Sequence, residues 1–595
     1  MSKTIFPQTQ DRNWIQQNKG DLYPVLYSTR NINLDRRGYI GLSRRMSYLQ
    51  KDGGLSGVSP AIILNSAKSQ YKFISGTKIF DINYNFSTIT EDTDATSAGF
   101  IGNLSDLIIY NNRFWYSPTG ITTRLFYRTA GSTGAYSYLT PMSGSSYPAP
   151  MASFINKNLL CVADGNVIKT IDTSDTINST ACTIPAEYTI LGLIYLNNKM
   201  YFATKKQTDN KAMLFEWDGA TATSANGYEV GAKTILGMAI YQESIVLLTS
   251  RGELLRFGGG GFTQIATLPF FQEKDYQWYF DNSLSFNTQA FKNTLQVQDE
   301  YLYINLQNSL IKDNSITLLP EFKNGIYQYH KDFGLIHKYS PSQSTSSSIT
   351  DYGQLYSTSN PVIGLLQEDS VSYPSSPTLS TGSRFLAYAT LINSSLTTNS
   401  YIQAITSGEN RGDFITSKIY TGDITNVNQR LYIKFKNLVD STDKIIVKYR
   451  VKNRSNIPLV IPADSTNAIT WTSTTTFTST NTGFANVLVG DEVSVLTGNG
   501  AGCLAHISTI VNNSGTYTIT LDEDITGVIN GNRSGIIVDN WCKIGTILYT
   551  NTDGFQYFGI GINGKYIQIK IELRGSNEPM IEEMTLVADI QVKSK

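Results

Sequence analysis

The sequence predicts an all-β protein: a β-propeller of about six or seven blades, followed by a β-sandwich with an inserted small β-barrel. Strand-favouring residues are abundant, with 36 Tyr and 26 Phe among 595 residues, while residues that favour helices, such as Ala, Glu and Lys, are few. A hairpin-like unit recurs through the first two thirds of the chain. Strict alternation of apolar and polar residues marks the last third.

The charge balance and the amino terminus narrow the function classes. The 48 Lys plus Arg offset 48 Asp plus Glu, so no overall attraction to nucleic acid or anionic membrane exists. The first residues, MSKTIFPQTQDRNW, lack the apolar core of a secretory signal, and no window approaches 18 consecutive apolar residues. We therefore expect neither export through a signal peptide nor a membrane span.

Residues 1–60 are expected to form an extended docking segment. The stretch STRNINLDRRGYIGLSRRMSY concentrates basic side chains, which are Arg30, Arg36, Arg37, Arg44 and Arg45. In so neutral a chain this cluster could dock onto an acidic partner or face DNA in a channel. Internal salt bridges are the alternative.

Residues 61–400 contain the repeat that predicts the propeller. A 14-residue unit of strand, two-residue polar tip and strand begins at Ser69, Ser105, Met151, Leu191, Leu236 and Asn293, with a weaker copy at Gly325. The predicted tips are Ser75-Gly76, Asn111-Asn112, Lys157-Asn158, Asn197-Asn198, Gln242-Glu243 and Asp299-Glu300. Asn and Gly tolerate the positive φ of primed turns, and the spacing approximates a four-stranded blade. A sandwich or meander with similar hairpins is the alternative.

Residues 410–464 and 533–595 are expected to form a sandwich in two segments. Apolar and polar residues alternate strictly over 431–436, and the same period recurs over 445–451 and 567–573. This period places one face of each strand in a core and the other in water. Residues 465–532 break the pattern with a Thr-rich tract and short strands, which predicts a small barrel inserted between the two halves.

Few residues point to catalysis or metal binding. Two acidic groups lie near predicted strand ends of the barrel, Asp491-Glu492 and Asp522-Glu523-Asp524. Paired carboxylates serve glycosidases, but solvated hairpin acids are the expectation here. His330 and His337 flank a predicted tip and are expected to be surface or core histidines. We predict no catalytic residue, no metal site and no cofactor.

Four other features have structural and functional interpretations. The glycine run at 258–261 is expected to be a connecting loop. Arg411-Gly412-Asp413 is expected to be a turn entering a strand, with a cell-adhesion tripeptide as the alternative. Tyr352, Tyr356 and Tyr373 could bind a sugar or a subunit. The cysteines, Cys161, Cys182, Cys503 and Cys542, are expected to be buried free thiols, with disulfides as the alternative.

The last third resembles a known family. The runs TSKIYTGDITNVNQRLYIKFKNLVDSTDKIIVKYRVKN, DNWCKIGTILYTN and KYIQIKIELRGSNEPMIEEMTL are similar to the terminal sandwich domain of tailed-bacteriophage tail and baseplate proteins. FEWDG resembles the blades that precede this domain in such proteins. The nozzle family, also termed tail tubular protein B, and minor tail proteins of related build are the functional relatives that the resemblance suggests. The chain is shorter than typical nozzle proteins.

The resemblance implies a non-enzymatic virion structural protein in the nozzle, hub or tip ring of a phage tail. It would be made in the host cytoplasm and form a homo-oligomeric ring, with six copies as the favoured number. Its implied partners are other tail or neck proteins and tail fibres, with transient contact to DNA during ejection. A carbohydrate-binding receptor protein is the first alternative, and a propeller glycoside hydrolase is the second.

Overall fold

A computed structural model gives the fold. It describes residues 2–6, 26–30, 32–34, 39–43, 45–51, 62–66, 70–75, 78–83, 89–94, 104–118, 123–130, 132–144, 149–206, 211–224, 226–232, 234–268, 294–298, 300–306, 311–312, 315–316, 325–331, 334–339, 363–366, 387–394, 397–406, 410–416, 418–420, 428–451, 457–461, 469–498, 500, 503–525, 527–561 and 566–588. The described elements are 49 strands and two short 3₁₀ turns, so the all-β prediction is confirmed.

The chain divides into two compact units. The sandwich unit comprises Met1–Ser47, Leu310–Tyr356 and Ile405–Lys595. The repeat unit comprises Tyr48–Ser309 and Ser357–Ala404. Both units are therefore assembled from segments that are distant in sequence.

The strands are numbered in chain order. The first five are β1 (Ser2–Phe6), β2 (Leu26–Arg30), β3 (Ile32–Asn33), β4 (Ile40–Leu42) and β5 (Arg45–Lys51). The next twenty are β6 (Ile62–Ser66), β7 (Gln70–Ser75), β8 (Lys78–Asn83), β9 (Ile89–Glu91), β10 (Leu104–Tyr110), β11 (Arg113–Pro118), β12 (Leu125–Thr129), β13 (Ser137–Leu139), β14 (Met151–Phe154), β15 (Leu159–Asp164), β16 (Val167–Ile171), β17 (Ile177–Thr183), β18 (Tyr188–Leu196), β19 (Lys199–Lys206), β20 (Met213–Trp217), β21 (Asn226–Glu229), β22 (Ile235–Tyr241), β23 (Ser244–Thr249), β24 (Glu253–Phe257) and β25 (Phe262–Thr267).

The remaining strands complete both units. Those up to residue 406 are β26 (Leu295–Gln298), β27 (Tyr301–Leu306), β28 (Ile311–Lys312), β29 (Ser315–Ile316), β30 (Gly325–His330), β31 (Gly334–Tyr339), β32 (Ile363–Leu366), β33 (Ala387–Ser394) and β34 (Thr397–Thr406). The last fifteen are β35 (Asn410–Thr416), β36 (Ile419–Tyr420), β37 (Asn428–Lys436), β38 (Lys444–Arg450), β39 (Leu459–Ile461), β40 (Ile469–Trp471), β41 (Thr476–Ser479), β42 (Glu492–Gly498), β43 (Leu504–Asn513), β44 (Thr516–Leu521), β45 (Arg533–Asp539), β46 (Cys542–Leu548), β47 (Phe555–Gly561), β48 (Tyr566–Gly575) and β49 (Met580–Ala588).

The repeat unit is a succession of small antiparallel sheets. Five of them are four-stranded meanders of consecutive strands, β6–β9, β10–β13, β14–β17, β18–β21 and β22–β25. The hairpin β26–β27 follows, and the sheet β32-β33-β34-β5 receives its last strand from the amino-terminal part of the chain. The first strand of each sheet contacts the first strand of the next, from β6 through β10, β14, β18, β22 and β26 to β32, and β32 contacts β6 again.

The hairpin tips follow the sequence prediction in three copies and depart from it in a fourth. The tips Asn111-Asn112, Asn197-Asn198 and Gln242-Glu243 all have positive φ, between 48° and 65°, as primed two-residue turns require. The predicted two-residue tip Lys157-Asn158 is wrong. Phe154 pairs with Leu159, and residues 155–158 between them form a 3₁₀ turn and its left-handed cap.

The other predicted tips are described in part. Ser75 pairs with Lys78 and so ends a strand, while Gly76 lies outside the described residues. Gln298 pairs with Tyr301 across the predicted tip Asp299-Glu300, of which Asp299 lies outside the described residues.

A tyrosine links neighbouring sheets at the tips. The hydroxyl of Tyr110, just before one tip, donates to the carbonyl of Asn158 at 2.5 Å. The hydroxyl of Tyr241, in the equivalent position, donates to the carbonyl of Glu300 at 2.8 Å. Each acceptor ends the tip of the following hairpin, so the same sequence position makes the same inter-sheet bond twice.

Two six-stranded sheets face each other in the sandwich unit. One has the order β3-β4-β49-β37-β47 with β1 beside β49, and the other has β2-β35-β48-β38-β46 with β36 beside β48. Their inner faces share one core of residues such as Leu431, Ile433, Ile445, Ile569 and Ile571, all of them fully buried. The amino-terminal segment, for which the sequence suggested docking, thus supplies four strands to these two sheets.

The inserted module closes into a six-stranded barrel. The strands pair in the cycle β45-β40-β41-β44-β43-β42 and back to β45, with β39 attached to β45. Its core holds Trp471, Phe477, Phe484 and Ile519. The small barrel expected between the two sandwich segments is present, and its described strands run to Asp539, past the predicted end at 532.

Candidate functional site

The predicted arginine cluster does not form one described surface. Arg30 is buried, and its Nε lies 2.6 Å from Asp413 Oδ1. For this arginine the structure shows the internal ion pair that the sequence left as the alternative. Arg36, Arg37 and Arg44 lie outside the described residues, and of Arg45 only the backbone, at the start of β5, is described.

The outer face of the sheet that contains β38 and β48 is not wet, contrary to the expectation from alternation. Lys448 and Glu572 are completely buried on it, and Lys570 and Arg574 are nearly so. The barrel covers this face, because Glu492 at the start of β42 contacts both lysines. Alternation of apolar and polar residues shows which side chains share a face of a strand. It does not show whether another module covers the outer face.

These five residues form an interior ion cluster: Lys448, Glu492, Lys570, Glu572 and Arg574. Lys448 Nζ lies 3.0 Å from Glu572 Oε2, and Arg574 also contacts Glu572. Two neighbours extend the cluster, since Arg411 Nε lies 3.1 Å from Glu572 and Arg574 lies 2.5 Å from Glu523. The cluster therefore joins the sandwich to its inserted barrel by charge.

The charges hold both central carboxylates in the ionised form. Burial alone would raise the pKa of Glu492, but the ammonium groups of Lys448 and Lys570 outweigh it and lower that pKa to about 2. For Glu572 burial is likewise the largest single influence, yet Arg574, Lys448 and Arg411 hold its pKa well below the ordinary value. Neither carboxyl can act as a general acid near neutral pH.

The other predicted acids have structural roles. The expectation of solvated hairpin acids is wrong for Glu492, which is fully buried and ion-paired, whereas Glu523 is partly exposed and pairs with Arg574. Asp491 accepts a hydrogen bond from the Leu488 amide at 2.8 Å, and Asp522 accepts one from the His506 amide at 2.6 Å. Asp524 is exposed and accepts a bond from the Thr474 hydroxyl.

The remaining candidates also lie in the framework. His330 and His337 are both buried, on β30 and β31. The tripeptide Arg411-Gly412-Asp413 is buried within β35 instead of forming an exposed turn, so it cannot serve adhesion in this fold. The glycines at 258–261 form the turn between β24 and β25. Tyr352, Tyr356 and Tyr373 lie outside the described residues.

The cysteines, like the candidates above, lie mostly in the buried framework. None of the four cysteines forms a disulfide, and Cys161, Cys182 and Cys503 are buried as expected, whereas Cys542 is exposed. Within the described ranges, no group of three His, Cys, Asp or Glu side chains could hold a metal ion. The same ranges contain no helix of the length and apolarity that a membrane crossing needs.

The structure instead presents an aromatic face, formed by Tyr432, Phe555 and Tyr557, on the outside of a sandwich sheet. Tyr432 pairs directly with Tyr557 across β37 and β47, and their ring centroids lie 5.1 Å apart. Phe555 lies 5.9 Å from the Tyr432 ring. Phe555 is 42% exposed and Tyr557 is 51% exposed, although both are large aromatic residues.

The strand sequence explains why these rings point outward. In FQYFGIG of β47, Phe558 and Ile560 fill the core, so Phe555, Tyr557 and Gly559 must face the other way. A Cβ added at Gly559 would meet no atom within 4 Å, so the surface beside Tyr557 is open. Sequence reasoning missed this face because both alternating sets in β47 contain aromatic residues.

Charged groups of both signs border the aromatic face. Lys434 Nζ lies 2.9 Å from Glu582 Oε2, and Thr585 donates a hydrogen bond to Glu583. Burial, together with the negative charge of Glu583, raises the pKa of Tyr432 and keeps its hydroxyl protonated. The face thus combines large apolar rings with a polar, mixed-charge border, which is the composition of a protein-binding patch.

Comparison with known proteins gives no family for this chain. No family model matches the sequence, and neither does any curated protein. Solved structures with partial likeness include the computationally designed Ika8 protein, at 11% identity and a TM-score of 0.32, covering 59% of this chain and 84% of that one. The hydrazine synthase of Kuenenia stuttgartiensis shows 11% identity and a TM-score of 0.32, with 44% and 78% covered.

A chain of the mitotic checkpoint complex shows 14% identity and a TM-score of 0.28, with 45% of this chain and 83% of that one covered. None of these three is a phage tail protein. TM-scores this low establish no shared fold, and these likenesses support no functional conclusion.

Proposed function

We propose that this protein is a non-enzymatic structural component of a tailed-phage tail, in its nozzle, hub or tip, that works by forming protein interfaces. The observation that carries the proposal is the aromatic face, where Phe555 and Tyr557 remain about half exposed on the outer side of a sandwich sheet. Exposed aromatic clusters with polar borders are typical of binding surfaces. The sequence resemblance of the sandwich segments supplies the virion context.

We further propose that the repeat unit is a seven-bladed propeller. Its support is the closed succession of first strands, in which seven strands contact one another in sequence order and β32 returns to β6. Radial repetition of this kind buries both faces of every inner sheet. The last sheet takes strand β5 from before the first, an arrangement that would close such a ring.

The test combines particle analysis with variants of the aromatic face. Electron microscopy and native mass spectrometry of the source virion are expected to place the protein in a closed ring on the tail axis. Tyr557→Ala should weaken assembly with neighbouring tail proteins at least tenfold, because truncating a central aromatic anchor costs roughly 2 kcal/mol or more. Tyr138→Ala, at another exposed tyrosine, is the matched control and should assemble normally. A stable monomer absent from any particle would overturn the proposal.

The same rings favour one second candidate, a carbohydrate-binding tail protein. Aromatic rings give large contact area at low entropic cost, which suits a sugar as well as a protein. Glycan-array binding that Tyr557→Ala abolishes and Tyr138→Ala preserves would favour this alternative. The ion-paired carboxylates of the barrel argue against the third alternative, a glycoside hydrolase.

A further inference from the structure

The barrel hairpin β43–β44 carries an open backbone edge. β43 pairs with β42 only over residues 504–506, and Ile507 then bonds to the backbone of Gly490 and Asp491. Over residues 508–513 no described strand pairs with that side of β43. Five of these six residues are exposed.

The turn geometry shows which groups point to the open edge. Ser514 and Gly515, with φ of 51° and 92°, form a two-residue turn flanked by the paired Asn513 and Thr516. The residues that flank such a turn exchange both hydrogen bonds, and the pattern alternates along the ladder. The amide and carbonyl groups of Ile510 and Asn512 therefore point away from β44.

From Thr509 onward the edge lacks the features that normally prevent strand pairing, because the register shift between β43 and β44 lies at its start, between Ile507 and Thr509. Residues 507–521 contain no charged residue and no proline. Natural edge strands are usually protected by charges, prolines or bulges, because an uncovered edge is a template for another strand. Val511 lies between Ile510 and Asn512, whose backbone groups point to the open edge, and Val511 is 49% exposed. Ile510 packs partly against the barrel core and keeps the strand in place.

We propose that this edge pairs with the same edge of a second copy of the chain, antiparallel about a two-fold axis at Val511. Ile510 of each copy then exchanges hydrogen bonds with Asn512 of the other, and the two Val511 side chains meet at a closely spaced pair, with Cα atoms about 4.5 Å apart. A second copy is the fitting partner because an uncharged edge meets itself without like-charge repulsion, and both exposed valines become buried. The pairing goes beyond the proposed function and does not depend on it.

The paired area is small, so the association should be weak and concentration-dependent. A single short strand pair buries less than the roughly 1,200 Å² at which stable interfaces begin. Sedimentation of the full chain over a wide concentration range measures the dissociation constant. Val511→Lys places two like charges at the axis. Asn512→Pro removes an outward amide and keeps the backbone bonds to β44, but it also removes the bond that the Gly515 amide donates to Asn512 Oδ1, so Val511→Lys is the cleaner variant.

Each variant is expected to raise the dissociation constant at least tenfold. Ile529→Lys is the matched control, because Ile529 is a 67% exposed aliphatic residue of the same barrel in a turn that bonds to Trp471 of β40, and its constant should not change. Circular dichroism checks that all three variants fold. A wild-type chain that stays monomeric at its highest soluble concentration overturns the proposal, as does association that Val511→Lys and Asn512→Pro leave unchanged.

Register-specific cross-linking gives a second test that separates this edge from any ring interface. In a Cys542→Ser background, which removes the exposed native thiol, Val511→Cys should give a covalent dimer on oxidation with copper phenanthroline. Asn513→Cys is the control, since its counterpart lies about 13 Å away along the paired strands, beyond disulfide reach. Cross-linking by both variants or by neither contradicts the proposed register, whatever the particle analysis shows about the tail.

Discussion

At the scale of single residues, Glu492 shows how one carboxylate can hold two modules together. It lies on the barrel, yet its two cationic partners, Lys448 and Lys570, lie on the sandwich. Two buried ammonium groups share this carboxylate, so removing it leaves both short of a counter-charge. Removal of one member of a buried ion pair costs far more than the pair contributes in net terms.

Glu492→Gln is therefore expected to lower the free energy of unfolding of the sandwich unit by about 3–5 kcal/mol. Differential scanning calorimetry measures the change. Asp524→Asn is the matched control, because Asp524 is an exposed carboxylate of the same barrel and its loss should change stability by about 0.5 kcal/mol or less. Equal effects of the two substitutions would show that the cluster is not what joins the modules.

The same carboxylate gives a pH dependence with a definite sign. The pKa of Glu492 falls from its ordinary value of 4.5 to about 2 in the fold, and that of Glu572 is also depressed. A carboxylate whose pKa is lowered by folding stabilises the fold at pH values above its pKa in the unfolded chain. That stabilisation is lost as the pH falls through its pKa in the folded chain. Urea unfolding should show stability declining between about pH 4.5 and pH 2. Glu492→Gln should flatten that decline, and an unchanged slope would contradict the assignment.

At the scale of elements, the hairpins show what a sequence can and cannot predict. Asn tolerates the positive φ that the turns Asn111-Asn112 and Asn197-Asn198 require, so the local sequence was enough to predict these two turns. The aromatic face and the interior ion cluster were not predictable in this way. Both depend on what covers the outer face of a sheet, which for β38 is a barrel inserted later in the chain and for β47 is solvent.

The tip Gln242-Glu243 is the exception among the primed turns. Both residues have positive φ, 48° and 59°, without the tolerance of Asn or Gly for that region. The double change Gln242→Asn and Glu243→Gly should stabilise the repeat unit by about 1 kcal/mol, because it relieves left-handed strain of that order. Thermal unfolding measures the gain. The same Gly substitution at Asn198 is the control and should give little or none, since Asn already suits that position.

At the scale of the whole molecule, the amino-terminal segment takes part in both units. Strands β1 to β4 belong to the sandwich sheets, and β5 completes the sheet β32-β33-β34-β5. Alternation and repeat spacing could not reveal this, because pairing between residues several hundred positions apart leaves no local pattern. Such distant pairing also predicts slow folding, since long loops must close before these strands gain their contacts.

Deleting residues 1–51 is therefore expected to abolish the folded sandwich unit, even though the deleted segment is short. The deletion removes four fully or almost fully buried side chains, Ile32, Leu34, Ile40 and Leu42. Each is worth about 1.5–3 kcal/mol in burial, so together they approach or exceed the whole stability of a typical domain. Calorimetry should show the sandwich transition lost. Deleting residues 589–595, which removes no described strand, is the control and should preserve it.

Co-expression of residues 1–60 as a separate chain should restore the transition. The missing strands act through sheet pairing and core burial, and neither requires covalent continuity with the rest of the chain. Restoration should weaken on dilution, because two chains must now associate. A truncated protein with wild-type unfolding would instead mean that the segment is dispensable to the fold, which would favour the docking role that the sequence suggested.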